Sequence, residues 1–545
     1  MPNLLQMVEL KLNETFSILL QPLSLKYILL LPIFLILLYR WSSYTNSSSI
    51  SVPPSPPKLP VIGNLHQLGL LPHRSLQTLA QRHGPDLMLL HFGSRPVLVV
   101  SSAEFASEIF KSHDIAFSDR PKLIFFEKVV KYKDIVSAPY GEYWRQVRSV
   151  CVLNLLSNRR VRSFRAVRLE EMKLMISNIA QSCTMTSSSS SSTSPVLNLS
   201  EMFLKLTNDV ICRVAMGRKY SDCGEGRGRM FMELSVELTE FFTRFNIGDY
   251  IPWLAWFTRV NGFDAKLDDL AKRVDAFIDM VIQEHMDKSN NGNDDGMNND
   301  NEDEKDLVDV LLSVQKETAV GFPIDRVSIK AIILDIFTGG TDTTYTALEW
   351  TMSELLKNPT AMKKLQNEVR GMVGNKKDVT EDDLAGMHYL NAVITETFRL
   401  HPPFPLLLPR MCNQDVKIKG YNIKANTHVM VNAWALGRDP KSYTNPEQYK
   451  PERFLDSVID YKGNNYELIP FGAGRRGCPG IQFAIVVEEL VLANIVHKFD
   501  WALPHGATTE DLDMTETTGL TAHRKYPLMA VATQFEELPK RDYSY

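Results

Sequence analysis

The chain alternates long amphipathic or apolar stretches with short polar breaks. Most of the stretches carry apolar residues at helical spacing. The spacing predicts helices over Leu307 to Lys316, Ser328 to Lys357, Thr360 to Met372, Leu390 to Leu400 and Ile481 to Phe499. Shorter β-like pieces lie at Leu87 to Val100, Val416 to Ile423, His428 to Asn432 and Pro527 to Thr533. No βαβ unit repeats, so a doubly wound sheet is not expected. The pattern predicts one large, mainly α domain with a small β portion, spanning about residues 61–545.

Three segments break this pattern. Phe16 to Tyr39 is mostly Leu, Ile, Phe and Tyr, long enough to cross about 30 Å of hydrocarbon. The apolar run starts late and no small-residue cleavage site follows closely, so it reads as an uncleaved anchor within residues 1–40 rather than a signal peptide. Residues 41–60 form a Ser- and Pro-rich hinge, stiff and extended from Val52 to Pro60. Two low-complexity stretches, about 186–194 and 289–306, read as surface loops without chemistry.

Composition excludes little else. The net charge of -4 argues against a general nucleic-acid binder. The six cysteines (Cys151, Cys183, Cys212, Cys223, Cys412 and Cys478) show no paired spacing, which fits a reducing compartment rather than a disulfide framework.

The chemistry concentrates at Phe471-Gly-Ala-Gly-Arg-Arg-Gly-Cys-Pro-Gly480. Cys478 sits in a glycine-rich loop beside Arg475 and Arg476, ahead of a helix N-terminus. Cations and inward-turned N–H groups favour the thiolate, the metal-binding form of cysteine. A rival reading takes Gly472-x-Gly474-x-x-Gly477 as a dinucleotide loop, with Tyr466 to Phe471 as its strand and Asp500 as its ribose-binding acid. Two bulky arginines where backbone must approach pyrophosphate, and the unused Cys478, count against it.

With these residues in place the chain resembles a cytochrome P450 of the plant microsomal type, over almost its whole length. The resemblance implies the P450 fold and haem b, with Cys478 as axial iron ligand and Phe471 in the same loop. Arg476 would pair with a haem propionate, as would Trp144 and Arg148 of a WxxxR helix and Arg410 after a Pro-rich run. Asp342 and Thr343, beside Gly339-Gly340 in a long apolar helix, would stand over the haem and manage protons. Two adjacent glycines there imply a close approach or a local distortion. Glu396, Arg399 and Arg453 would form a buried structural network. The substrate pocket would take in Ile124, Phe125, Phe126, Phe241, Phe242, Phe337, Thr338, Phe404, Leu407, Thr518 and Gly519.

These correspondences imply a monooxygenase that inserts one oxygen atom from O2 into a small to medium lipophilic molecule, in plant specialised metabolism. Electrons would come from NADPH through a separate NADPH–cytochrome P450 reductase, docked on a basic patch that includes Arg475. The catalytic domain would be cytosolic, on the endoplasmic reticulum membrane, held by a single span. A same-fold enzyme that dehydrates or rearranges its substrate, for example an aldoxime, remains the competing reading.

Overall fold

The structure, a computed structural model, describes residues 30–32, 34–35, 51–187, 195–221, 227–291, 305–316, 324–517, 519 and 521–535. Most of the expected anchor therefore lies outside the described residues. Residues 30–32 and 34–35 are helical and exposed. Among the described residues no helix is long and apolar enough to cross a membrane.

The principal helices are α1 (Pro72–His83), α2 (Ile124–Val129), α3 (Glu142–Val150), α4 (Arg165–Ser187) and α5 (Leu199–Met216). They continue with α6 (Arg227–Thr243), α7 (Phe263–Asn291), α8 (Leu307–Lys316), α9 (Arg326–Lys357), α10 (Pro359–Val373), α11 (His388–Leu400) and α12 (Ile481–Lys498). The predicted helices are all present, within about two residues at their ends. Helices α4 and α7 run into the two low-complexity stretches, to Ser187 and Asn291. At the far end of the second stretch Asp306 is buried and bonds His285 Nε2 at 2.7 Å, so that stretch is not a surface loop throughout.

The strands form three small sheets. In the largest, β1 (Leu87–Phe92) and β2 (Arg95–Val100) are a hairpin. Next come β7 (His428–Val431), parallel to β2, and β4 (Arg410–Met411), antiparallel to β7. A three-stranded sheet has the order β3 (Val196–Asn198), β9 (Met529–Gln534), β8 (Phe499–Ala502). Strands β5 (Val416–Ile418) and β6 (Tyr421–Ile423) pair alone.

Helix α9 is the spine of the domain and packs against α5, α7, α11 and α12. Asp325 caps its start, accepting the Ser328 N–H at 2.7 Å. It ends at Lys357; Asn358 (φ -122°, ψ 77°) leaves the helical region, as a residue before proline tends to, and Pro359 opens α10. The helix stays regular through Gly339 and Gly340, so the expected distortion is absent and the close approach is present instead. A Cβ on Gly340 would lie 2.5 Å from Ile211 Cδ1 of α5, whereas one on Gly339 meets nothing within 4 Å.

Candidate active site

Between α9, the cysteine loop and the segment 120–138 lies a cavity of about 320 Å³, with mostly apolar walls. The Cys478 side chain opens into it. The Cys478 N–H donates to Phe471 O at 2.9 Å, and the Gly480 N–H donates to Sγ at 3.3 Å. Gly472 and Gly474 have φ of 69° and 65°, left-handed backbone that lets the loop turn this tightly. Phe471 packs edge-on against Phe398 at 5.0 Å, tying the loop to α11. Burial pushes the Cys478 thiol up, opposed by the Gly480 N–H and by Arg148.

The dinucleotide reading does not survive. Tyr466 to Phe471 is turn, not strand. Asp500 lies beyond the far end of α12, about 27 Å along an 18-residue helix. There it accepts a hydrogen bond from Arg370 at 2.9 Å.

Four arginines line the same cavity: Arg120, Arg148, Arg410 and Arg476. Burial, with mutual repulsion, lowers Arg410 to about 10 and Arg476 to about 9, and lowers Arg120 well below its usual range. Guanidinium does not give up its proton in proteins, so the cradle carries unbalanced positive charge. Arg120 and Arg476 spend their donors on backbone carbonyls, for example Leu408 O at 2.7 Å and Ala138 O at 2.6 Å. Arg148 donates to Gly477 O at 2.5 Å. A thiol and a set of under-compensated cations around one apolar cavity fit haem b, which brings an iron and two carboxylates. Cys478 would hold the iron and the arginines the carboxylates.

Trp144 does not join them at the cavity, contrary to expectation. Its indole N–H donates to Ile135 O at 3.0 Å, and its ring carries the Arg476 guanidinium at 4.2 Å and that of Arg148 at 5.6 Å. It steadies the arginines instead of reaching past them.

On the opposite wall α9 presents Thr338, Gly339, Asp342 and Thr343. The Thr343 hydroxyl donates to Gly339 O at 2.6 Å, and Asp342 Oδ2 accepts from Thr521 Oγ1 at 2.6 Å. Phe125, Phe126, Phe242, Phe404 and Leu407 also line the cavity; the first three pack as an aromatic trio with centroids 5.2–5.6 Å apart.

Several expected pocket residues lie elsewhere. Ile124 opens α2, its N–H held by Asp249 Oδ1 at 3.1 Å, and packs into the core. Phe337 sits one residue before Thr338, about 100° around α9, and lines a separate small apolar pocket with Phe277 and Met216. Phe241 packs against Phe263. Gly519 is exposed and Thr518 lies outside the described residues; Thr521 lines the cavity from that segment.

Sequence reasoning missed Arg120, Thr521 and two buried acids, Asp134 and Asp335. Burial raises both acids, and the charge of Asp134 raises Asp335 further. Asp335 Oδ2 accepts the Ile135 N–H at 2.8 Å, pinning the segment 134–137 to α9. Its spacing of four and seven residues from Gly339 and Asp342 puts it on their helix face, a signal that could have found it. The structure brings Glu396, Arg399 and Arg453 together. Arg399 donates to Glu396 from Nε at 2.6 Å and from NH2 at 2.8 Å, and Arg453 Nε donates at 2.9 Å.

A family model, Cytochrome P450, matches residues 53–529. Cytochrome P450 736A117 of Prunus mume is 64% identical over 538 residues, 98% of this chain and 99% of that protein. Norfluorocurarine oxidase of a Strychnos species is 52% identical, covering 95% of this chain and 100% of the relative. Tabersonine/lochnericine 19-hydroxylase of Catharanthus roseus is 47% identical, over 93% and 97%. Among solved structures, a zebra fish cytochrome P450 with abiraterone matches at TM-score 0.69 and 23% identity, over 86% of this chain and 100% of that one; this likeness carries the fold alone. The chain belongs to the cytochrome P450 family, the haem b monooxygenases.

Proposed function

We propose that this protein is a membrane-anchored haem-thiolate monooxygenase of plant specialised metabolism, acting on a small to medium lipophilic substrate. The observation that carries the reading is the placement of Cys478 Sγ on one wall of the apolar cavity and of Asp342 with Thr343 on the facing helix. Haem held by Cys478 supplies dioxygen activation, which thiolate ligation favours. The chain's own residues do the rest. Arg148, Arg410 and Arg476 bind the cofactor's carboxylates. Asp342 and Thr343 hold protons at the oxygen-binding side, and the aromatic trio orients an apolar substrate and excludes water. The acid–alcohol pair suits proton delivery to oxygen, which leans toward monooxygenation over an aldoxime dehydratase.

Plant relatives that include an oxidase and a 19-hydroxylase by name support the specialised-metabolism assignment. Electrons reach the protein from NADPH through a separate reductase, which docks near exposed Arg475. The apolar segment Phe16 to Tyr39 supports a single-span anchor in the endoplasmic reticulum, with the catalytic domain cytosolic. The test is a carbon monoxide difference spectrum of reduced microsomes. The red-shifted Soret band of a thiolate-ligated haem is expected, and it disappears in Cys478→Ser; a thiolate band that persists in that variant would overturn the assignment.

A further inference from the structure

Of the four cavity arginines, Arg410 alone has a carboxylate bonded to it among the described residues. Asp114 Oδ1 lies 3.2 Å from Arg410 NH1. The same carboxylate reaches the surface: its Oδ2 lies 3.1 Å from Nε of Arg475, a half-exposed side chain beside the cysteine loop. The Arg475 backbone N–H also leans on it, 3.3 and 3.4 Å from the two oxygens. Asp114 itself is mostly buried, with a side-chain exposure of 13%.

The surrounding residues are shaped for this bridge. Gly474 has φ of 65°, and a Cβ there would lie 2.6 Å from Asp114 Oδ1 and 2.8 Å from Phe110 O. Glycine is what admits the carboxylate to the loop. Arg410 is fixed on its other sides by the Phe110 ring, 4.5 Å below its guanidinium, and by Ala473 O at 2.6 Å. It cannot swing away to find another anion.

We propose that Asp114 is a positioning residue that sets the reduction potential of the bound haem. It divides one negative charge between buried Arg410 at the cofactor's carboxylate end and exposed Arg475 on the face read as the reductase dock. The inference rests on the cradle being the seat of haem, which the carbon monoxide spectrum tests separately. Inside a low-dielectric site one unit charge acts strongly on an electron arriving nearby. Asp114 trims the cradle's positive excess and so makes reduction harder than four unopposed arginines would. A partner carboxylate that drew Arg475 outward would return all of the Asp114 charge to Arg410.

The experiment is an anaerobic spectroelectrochemical titration of the detergent-solubilised holoenzyme. Asp114→Asn keeps the shape and one acceptor oxygen but removes the charge; its midpoint moves to more positive potential, while Asp114→Glu stays near wild type. An Asp114→Asn protein that keeps its thiolate spectrum and its wild-type midpoint would overturn the proposal. Should that variant not hold haem, Arg475→Gln asks the same question from the surface. Leaving Asp114 to Arg410 alone, it moves the midpoint to more negative potential. An unlinked surface arginine would be screened by solvent and salt, so an unchanged midpoint there would also overturn the proposal. Loss of the thiolate spectrum in the wild type would instead overturn the haem reading.

Discussion

Thr521 donates its hydroxyl to Asp342 Oδ2 at 2.6 Å across 179 residues of sequence. The bond holds the carboxylate of α9 at the cavity wall from the C-terminal segment. Asp342 is therefore anchored at the cavity wall through one of its carboxylate oxygens. Asp342→Asn keeps the bond from Thr521 but removes the acid. Its turnover with substrate and reductase is expected to fall roughly 100-fold or more, the usual contribution of a placed acid–base group. Thr521→Val frees the carboxylate and lowers turnover by less. Both retain the thiolate spectrum, so product formation per haem is the measurement that checks them.

The Glu396 carboxylate accepts from Arg399, from Arg453 and from the Lys450 N–H at 2.7 Å. Glu396 and Arg399 have no solvent exposure at all. Arg399 also donates to Gly437 O and Pro446 O, both at 2.6 Å, which ties α11 to the segment before the cysteine loop. Glu396→Ala leaves two arginines facing no anion, at a cost of about 3–5 kcal/mol. The expected product is haem-poor or insoluble, read as the ratio of haem to protein after purification. A Cβ on Gly437 would lie 2.2 Å from Arg399 O, a backbone atom that cannot yield, so Gly437→Ala should fail in the same way.

The fold was legible wherever a local signal controls it. The periodicity of α9, α11 and α12 gave their ends closely, because capping and proline act within one turn. The cysteine loop was legible because glycines, arginines and a thiol are compressed into ten residues. What stayed hidden depends on long-range packing. Arg120 carries no motif, and its role appears only when the chain brings it to Leu408 and Pro409. Trp144 and Arg148 share a helix face, but the Ile135 carbonyl claims the indole, which no spacing reveals. Phe337 and Thr338 are neighbours in sequence, and one helical step separates cavity wall from core.

The two glycines of α9 should answer differently to the same substitution. Gly339→Ala meets no atom within 4 Å and gains helix propensity, about 1 kcal/mol of stability. Gly340→Ala gains the same propensity but drives a methyl to 2.5 Å from Ile211 Cδ1, an overpacking cost of about 1–3 kcal/mol. The obstacle is the tip of a side chain, so Ile211→Ala should rescue Gly340→Ala while leaving Gly339→Ala unaffected. A double-mutant cycle by thermal denaturation isolates that coupling; additive effects at 340 and 211 would contradict the close approach.

Glu488 gives the fold a pH dependence of its own. It is 1% exposed on α12 and accepts only the Thr351 hydroxyl, at 3.0 Å, among the bonds recorded to it. Burial, with the charge of Glu489 beside it, pushes its carboxyl up to about 8 from an ordinary 4.5. Below the ordinary value both folded and unfolded chains hold the proton, and the group is neutral to stability. Between about 4.5 and 8 the unfolded chain ionises while the folded one does not, so stability falls as pH rises, by up to about 1.4 kcal/mol per unit. Above about 8 both forms are ionised and the loss levels off. Glu488→Gln keeps an acceptor for Thr351 and removes the titration. Its stability relative to wild type is expected to grow by roughly 2–4 kcal/mol between pH 5 and pH 8, read from urea denaturation at both values. A difference between the two proteins that did not change with pH would show that the Glu488 proton takes no part in folding.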